Sequence, residues 1–134
     1  MIQQNMNIRE IGWNLRIFYC PKTSSQRSIV LKCLYNAGCT GRNFRRAMTL
    51  LDSGALNTGL TYSNKRERKT IIVIGCSSDI AEFVNTLTHE VNHFIEHVTE
   101  ALHIQSGTEE EAYFTGELYE LLCRDAVSSV LPLL

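Results

Sequence analysis

No stretch of this 134-residue chain is apolar over enough length to cross a bilayer, so a helical membrane protein is excluded. The opening MIQQNMNIRE has no basic segment followed by an apolar run, so no signal peptide is expected. The five cysteines (Cys20, Cys33, Cys39, Cys76 and Cys123) are odd in number and none stands in CxxC spacing. That usage argues for reduced thiols in a cytoplasmic protein over a disulfide framework. No repeat, low-complexity tract or linker divides the chain, so residues 1–134 are expected to form a single domain. Cations are nearly missing from the second half, where Arg124 is alone against eleven acids after residue 70.

What remains is an ordinary globular composition, 44% hydrophobic and 20% charged, enough for one packed core. The net charge of −1 conceals two opposed halves, because residues 1–70 carry 12 Lys and Arg against 3 Asp and Glu. Such a split fits two complementary layers of one fold. It equally fits an acidic, cation-attracting half backed by a basic one.

Residues 8–19 (IREIGWNLRIFY) are rich in β-branched and aromatic side chains and predict a strand, with Gly12 as a bulge and Pro21 as its end. Residues 25–37 and 42–52 have helical spacing and are closed by Gly38 and by Ser53-Gly54. Short strands near 58–63 and 70–76, joined by the polar turn 64–69, predict a hairpin. Asp79 then caps a helix whose Ile80, Val84, Leu87, Val91, Phe94 and Val98 recur at spacings of four and three. A last helix runs from Glu109 to about Val127, opened by the Thr108–Glu111 capping box. The expected class is α+β: a short sheet packed on the helix from Asp79, with a C-terminal helix.

The chemistry concentrates in His89-Glu90-Val91-Asn92-His93. On a helix, positions i and i+4 share one face, so both imidazoles can reach one metal ion while Glu90 stands beside it as a base. The two histidines point away from the apolar stripe, toward a cleft or toward water. A catalytic zinc takes a third protein ligand, and the last helix offers Glu109, Glu110, Glu111, Glu117 and Glu120. Glu111 already serves the capping box and shares its face with Phe114, Leu118 and Leu122. Glu109 shares a face with Ala112, Gly116 and Cys123, whose small residues would let a second backbone approach. A first helix ending near Thr99 would let the chain return to the motif; one continuing to Gln105 would strand Glu109. His93 and His97 form a rival pair, but His89 and His93 bracket an acid. His97 reads as a substrate-side donor or a partner to the metal ligands, and His103 as solvent-exposed.

His89-Glu90-Val91-Asn92-His93 followed by Glu109-Glu110-Glu111-Ala112-Tyr113-Phe114-Thr115-Gly116 resembles the gluzincin pattern of thermolysin-like metallopeptidases. From about Gly59 to Leu122 the chain is similar to small zincin-like proteins of bacterial mobile elements and phages. The resemblance implies a small zincin-like fold, zinc as cofactor, a peptide or protein substrate, and Glu109 as third ligand. It also implies that substrate is held as an added strand on a sheet edge just before the motif helix, the place of residues 70–76. Ile71-Ile72-Val73-Ile74 is apolar throughout, so its side chains read as core, with its backbone edge still open to a substrate. The pattern departs where thermolysin-like enzymes carry Asp four residues after the ligand Glu; here that residue is Tyr113, so the groups orienting the ligands must differ.

The implied reaction is metal-assisted peptide hydrolysis with Glu90 as general base and Tyr113, His97 or Tyr62 as oxyanion donor. The alternative is a zinc-binding regulatory or interaction module with little turnover. Arg42, Arg45, Arg46 and the Lys65–Lys69 turn form a basic patch without a recognition motif, so no nucleic-acid partner is expected, and no membrane partner either.

Overall fold

The computed structural model describes residues 1–129. Two hairpins and four helices follow one another: β1 (Ile2–Ile8), β2 (Trp13–Tyr19), α1 (Ser24–Asn36), α2 (Gly41–Ser53), β3 (Gly59–Asn64), β4 (Lys69–Ile74), α3 (Ile80–Ala101) and α4 (Glu109–Ser129). The class is α+β, with a four-stranded mixed sheet in the order β1-β2-β4-β3. β1 and β2 are antiparallel, as are β3 and β4, while β2 and β4 run parallel from Asn14↔Lys69 to Tyr19↔Ile74. The parallel pair exists because α1, α2 and β3 form the crossover between its strands.

The sheet is covered on both faces. On one, Trp13, Leu15, Ile17, Tyr19, Ile72 and Ile74 pack against Phe83, Val91, Phe94 and Val98 of α3 and Leu118 and Leu122 of α4. On the other, Phe18, Ile71 and Val73 pack against Val30 and Leu34 of α1 and Ala47 and Leu51 of α2. This double cover is why β4 is apolar at successive positions. The basic half of the chain thus supplies α1 and α2, and the acidic half supplies α3 and α4.

Several sequence expectations change. Residues 8–19 are not one strand: Ile8 ends β1, Arg9 to Gly12 turn the chain, and β2 begins at Trp13. Gly12, at φ 63°, serves that turn and is not a bulge. The polar segment before it forms β1, whose buried Gln4 accepts a 2.8 Å hydrogen bond from Tyr19. In α3, Val91, Phe94 and Val98 are buried as the spacing predicts and Leu87 packs against the core, but Ile80 and Val84 are exposed, and Phe83 and Ile95 complete the buried row. β4 has no open edge, because β2 and β3 flank it; the edge strands are β1 and, next to β4, β3. Finally, Cys20 and Cys76 are joined as a disulfide across the ends of β2 and β4, against the expectation of five reduced thiols. Each cysteine follows the end of one of these adjacent parallel strands, which brings the two Cα atoms within 4.4 Å. No helix among the described residues is long and apolar enough to cross a membrane.

Candidate metal centre

α3 begins where the Asp79 side chain accepts the Glu82 amide at 2.8 Å, satisfying a donor that the first turn leaves open. Its apolar row holds the helix on the sheet beside β3 and β4. The flank of the helix nearest the open edge of β3 carries Thr86, Glu90, His93 and His97, with His89 one step further out.

His89 and His93 are both exposed, and their Nε2 atoms face each other at 3.1 Å with the rings nearly perpendicular. Two nitrogens bound to one tetrahedral zinc stand about 3.3 Å apart, given Zn–N bonds of about 2.0–2.1 Å. The contact is a hydrogen bond between the rings, one Nε2–H donating to the other Nε2, and its length is close to the separation of two ligands on one ion; imidazole suits zinc. Behind His93, the Glu96 carboxylate lies 3.6 Å from Nδ1. Both side chains are exposed and the separation exceeds hydrogen-bond length, so Glu96 is a loose neighbour on the Nδ1 side of the ring. The sequence reading missed Glu96, although its i,i+3 spacing from His93 was a visible signal.

Glu90 is only 5% exposed. Its Oε2 accepts a 2.6 Å hydrogen bond from the Thr61 hydroxyl on β3, which also lies 3.1 Å from the Glu90 carbonyl. The close fit is completed by Gly59, where a Cβ would stand 2.8 Å from Glu90 Cγ and 3.0 Å from the Val73 carbonyl. β3 thus meets the motif helix through one face, Gly59, Thr61 and Ser63, while Leu60 and Tyr62 pack toward α1 and α2. Gly75 donates to the Thr58 carbonyl at 2.7 Å. In the regular register that follows, the amides and carbonyls of Gly59, Thr61 and Ser63 point away from β4, along the outer edge.

The acids of the last helix are placed differently. Glu109 and Glu110 are exposed, and Glu111 turns its carboxylate back to the Gly107 amide at 3.3 Å while its own amide meets Thr108 Oγ1. α3 ends at Ala101, about 12 Å past His93. α4 then returns along it, with the Tyr119 hydroxyl 3.4 Å from the Thr88 carbonyl and 3.5 Å from Asn92 Oδ1. Glu109 lies about 15 Å before Tyr119 along α4, which sets it level with the end of α3 and not with the histidine pair. The face with Ala112 and Gly116 is open, and a Cβ on Gly116 would meet nothing within 4 Å, so no close backbone crossing occurs there. Among the described residues no group of three His, Cys, Asp or Glu side chains gathers to hold a metal ion. Tyr113 is 71% exposed on that open face. Glu117 is exposed, and Glu120 is exposed and paired with Arg124.

His97 and Tyr62, the other donors considered, line one groove between β3 and α2. Burial is the main influence holding the His97 imidazole below its ordinary range, helped by Lys65 and opposed by Glu100. Burial pushes the Tyr62 phenol up, so it stays a neutral hydroxyl. His103 is exposed, in the left-handed conformation just after α3. No known protein-family model, curated protein or solved structure matches this chain.

Proposed function

We propose that this chain is a zinc-dependent peptidase of zincin-like type, with His89 and His93 as metal ligands and Glu90 as general base. The observation that carries the reading is the 3.1 Å approach of the Nε2 atoms of two histidines that bracket, in sequence, a buried, hydrogen-bonded glutamate. Zinc, when bound, supplies the acidity that makes water a nucleophile near neutral pH and polarises the scissile carbonyl. The rest is done by the chain. Glu90 takes the proton of the attacking water and returns it to the leaving amine. Thr61 holds that carboxylate against β3. The outward amides and carbonyls of Gly59, Thr61 and Ser63 bind the substrate backbone as an added strand. β3, not β4, has this role. The gluzincin resemblance implies Glu109 as the third ligand; α4 sets it level with the end of α3, so among the described residues the two imidazoles have no carboxylate gathered beside them.

The position of Glu109 away from the pair favours a second reading, a zinc-binding interaction module with little turnover. Glu90→Gln separates the two. The full chain, purified without chelator, is assayed for zinc content and for cleavage of a peptide library. Near-stoichiometric zinc in wild type and in Glu90→Gln, lost in His89→Ala and His93→Ala, with cleavage abolished by Glu90→Gln, supports the peptidase. Equal zinc with no cleavage by wild type selects the module. Zinc that is substoichiometric and unchanged by losing either histidine defeats both.

A further inference from the structure

The groove between β3 and α2 has a volume of about 360 Å³ and is lined by Asn43, Arg46 and Leu50 on α2, Tyr62 and Ser63 on β3, and His97 on α3. A chain of hydrogen bonds runs to it from the core. Trp13 Nε1 lies 2.9 Å from Thr70 Oγ1, which lies 2.7 Å from Ser63 Oγ, which lies 2.7 Å from His97 Nδ1. Its direction follows from what each group can do. An indole N–H only donates, so Thr70 accepts from Trp13. Thr70 is buried at 1% exposure, and its own proton must find an acceptor, which Ser63 provides. Ser63 in turn donates to Nδ1. The neutral imidazole then carries its proton on Nε2, the nitrogen not engaged with Ser63.

Charge adds a second observation. Arg42, Arg45 and Arg46 stand in the N-terminal half of α2, the end where the helix dipole disfavours cations, and the first turn holds no acid. Elsewhere Arg27 pairs with Asp52, Lys65 with Glu100 and Lys69 with Glu67. None of the three α2 arginines has an ion pair among the described residues. Helical spacing puts Arg46 on the groove face with Asn43, Ala47 and Leu50, Arg42 at its margin and Arg45 turned away.

We propose that this groove is a selectivity site for an acidic side chain, Asp or Glu, of a peptide lying along β3, received by the Nε2–H of His97 and the guanidinium of Arg46. Successive side chains of an added strand alternate between its faces. The groove crosses the outer edge of β3, with Arg46 and Tyr62 on its α2 side and Thr61, Ser63 and His97 on its α3 side, so a side chain entering it from the end of the added strand meets both donors. A carboxylate there answers two donors that the fold leaves facing one space, and the alkyl part of the side chain covers Leu50. The proposal rests on the peptidase reading for the path of the peptide, but binding reports on it without turnover.

The test uses the full-length Glu90→Gln chain and fluorescently labelled, C-terminally amidated peptides that carry a single Glu or the matching Gln at each position. One register is expected to bind the Glu peptide about tenfold tighter than its Gln partner, the worth of a charge-assisted hydrogen bond. Arg46→Ala should bring that ratio close to one, while an unamidated Gln peptide should not recover it, which separates a side-chain carboxylate from a terminal one. Nitrogen-detected NMR of His97 should show Nε2 protonated and Nδ1 bare, with Ser63→Ala disturbing that preference. Equal binding of Glu and Gln peptides in all registers, absence of peptide binding, the opposite His97 tautomer, or an Arg46-dependent affinity for a single-stranded oligonucleotide in place of the acidic peptide would each overturn the proposal. If wild type cleaves peptides with no acid preference, this proposal falls and the peptidase reading stands. If acid selectivity is found without zinc or cleavage, the reverse holds.

Discussion

Thr61 is the side chain on which the Glu90 carboxylate depends. Replacing it by Val keeps the shape but removes the donor, leaving a buried carboxylate short of its 2.6 Å partner. Thr61→Val is expected to cost about 1–3 kcal/mol in urea unfolding, whereas Thr61→Ser keeps the hydroxyl and loses less. Equal stability of the two variants would show that Glu90 does not rely on this bond. His97 gives a pH dependence with a definite sign. Its folded pKa is lowered, through burial first, then Lys65 on the β3–β4 turn and His93 on the same helix, against Glu100 and Glu96. Arg46 of α2 faces the same groove. Below the unfolded value of about 6.5 the unfolded chain takes up a proton that the folded chain resists, so stability falls as pH drops through that point. The urea midpoint should therefore decrease between pH 7.5 and 5.5, and His97→Gln should flatten part of the slope. An identical slope in the variant would remove His97 as its source.

At the scale of elements, α3 is where local sequence and tertiary role agree best. Asp79 caps it as the sequence says, and Asp79→Ala is expected to cost about 1 kcal/mol, read from the thermal midpoint, with Asp79→Asn retaining most of it. An unshifted midpoint in Asp79→Ala would mean that packing on the sheet alone fixes the start of the helix. α1, α2 and the β3–β4 hairpin were legible for the same reason: their ends carry Gly38, Gly54 and a polar turn, signals that act within a few residues. β1 was not legible, because Gln3, Gln4, Asn5 and Asn7 give it a polar composition, and the partner that satisfies the buried Gln4 side chain, Tyr19, lies on the neighbouring strand. Only the start of the stripe on α3, Ile80 and Val84, was misplaced, for a related reason. Periodicity allows a row through Ile80 and Val84 as well as one through Phe83 and Ile95, and only contact with the sheet chooses between them. In the site, the histidine pair was readable from i,i+4 spacing. Thr61 and Ser63 were obscured because strand pairing places them against α3, whereas Glu96 stood in plain i,i+3 spacing from His93.

Across the whole molecule, the Cys20–Cys76 link does more than join two strand ends. The closed loop, 56 residues in sequence separation, contains α1, α2, β3 and β4, and therefore the whole basic layer and the edge strand of the candidate site. Fixing both ends removes entropy from the unfolded chain on a scale of about 4 kcal/mol for a loop of this size. The folded state needs little from the link, because Cys20 N already donates to the Ile74 carbonyl at 2.7 Å and the parallel pairing of β2 with β4 sets the same geometry. Reduction should thus leave the fold and the histidine pair in place while lowering the urea midpoint. Cys20→Ser with Cys76→Ser should reproduce the effect and make the midpoint insensitive to dithiothreitol. Free Cys33, Cys39 and Cys123 supply the control, since Cys123→Ser alone should change neither midpoint nor its response to reductant. If reductant fails to move the wild-type midpoint, and mass analysis under denaturing conditions finds five free thiols, the layers are held by packing alone and Cys20 and Cys76 are two neighbouring thiols.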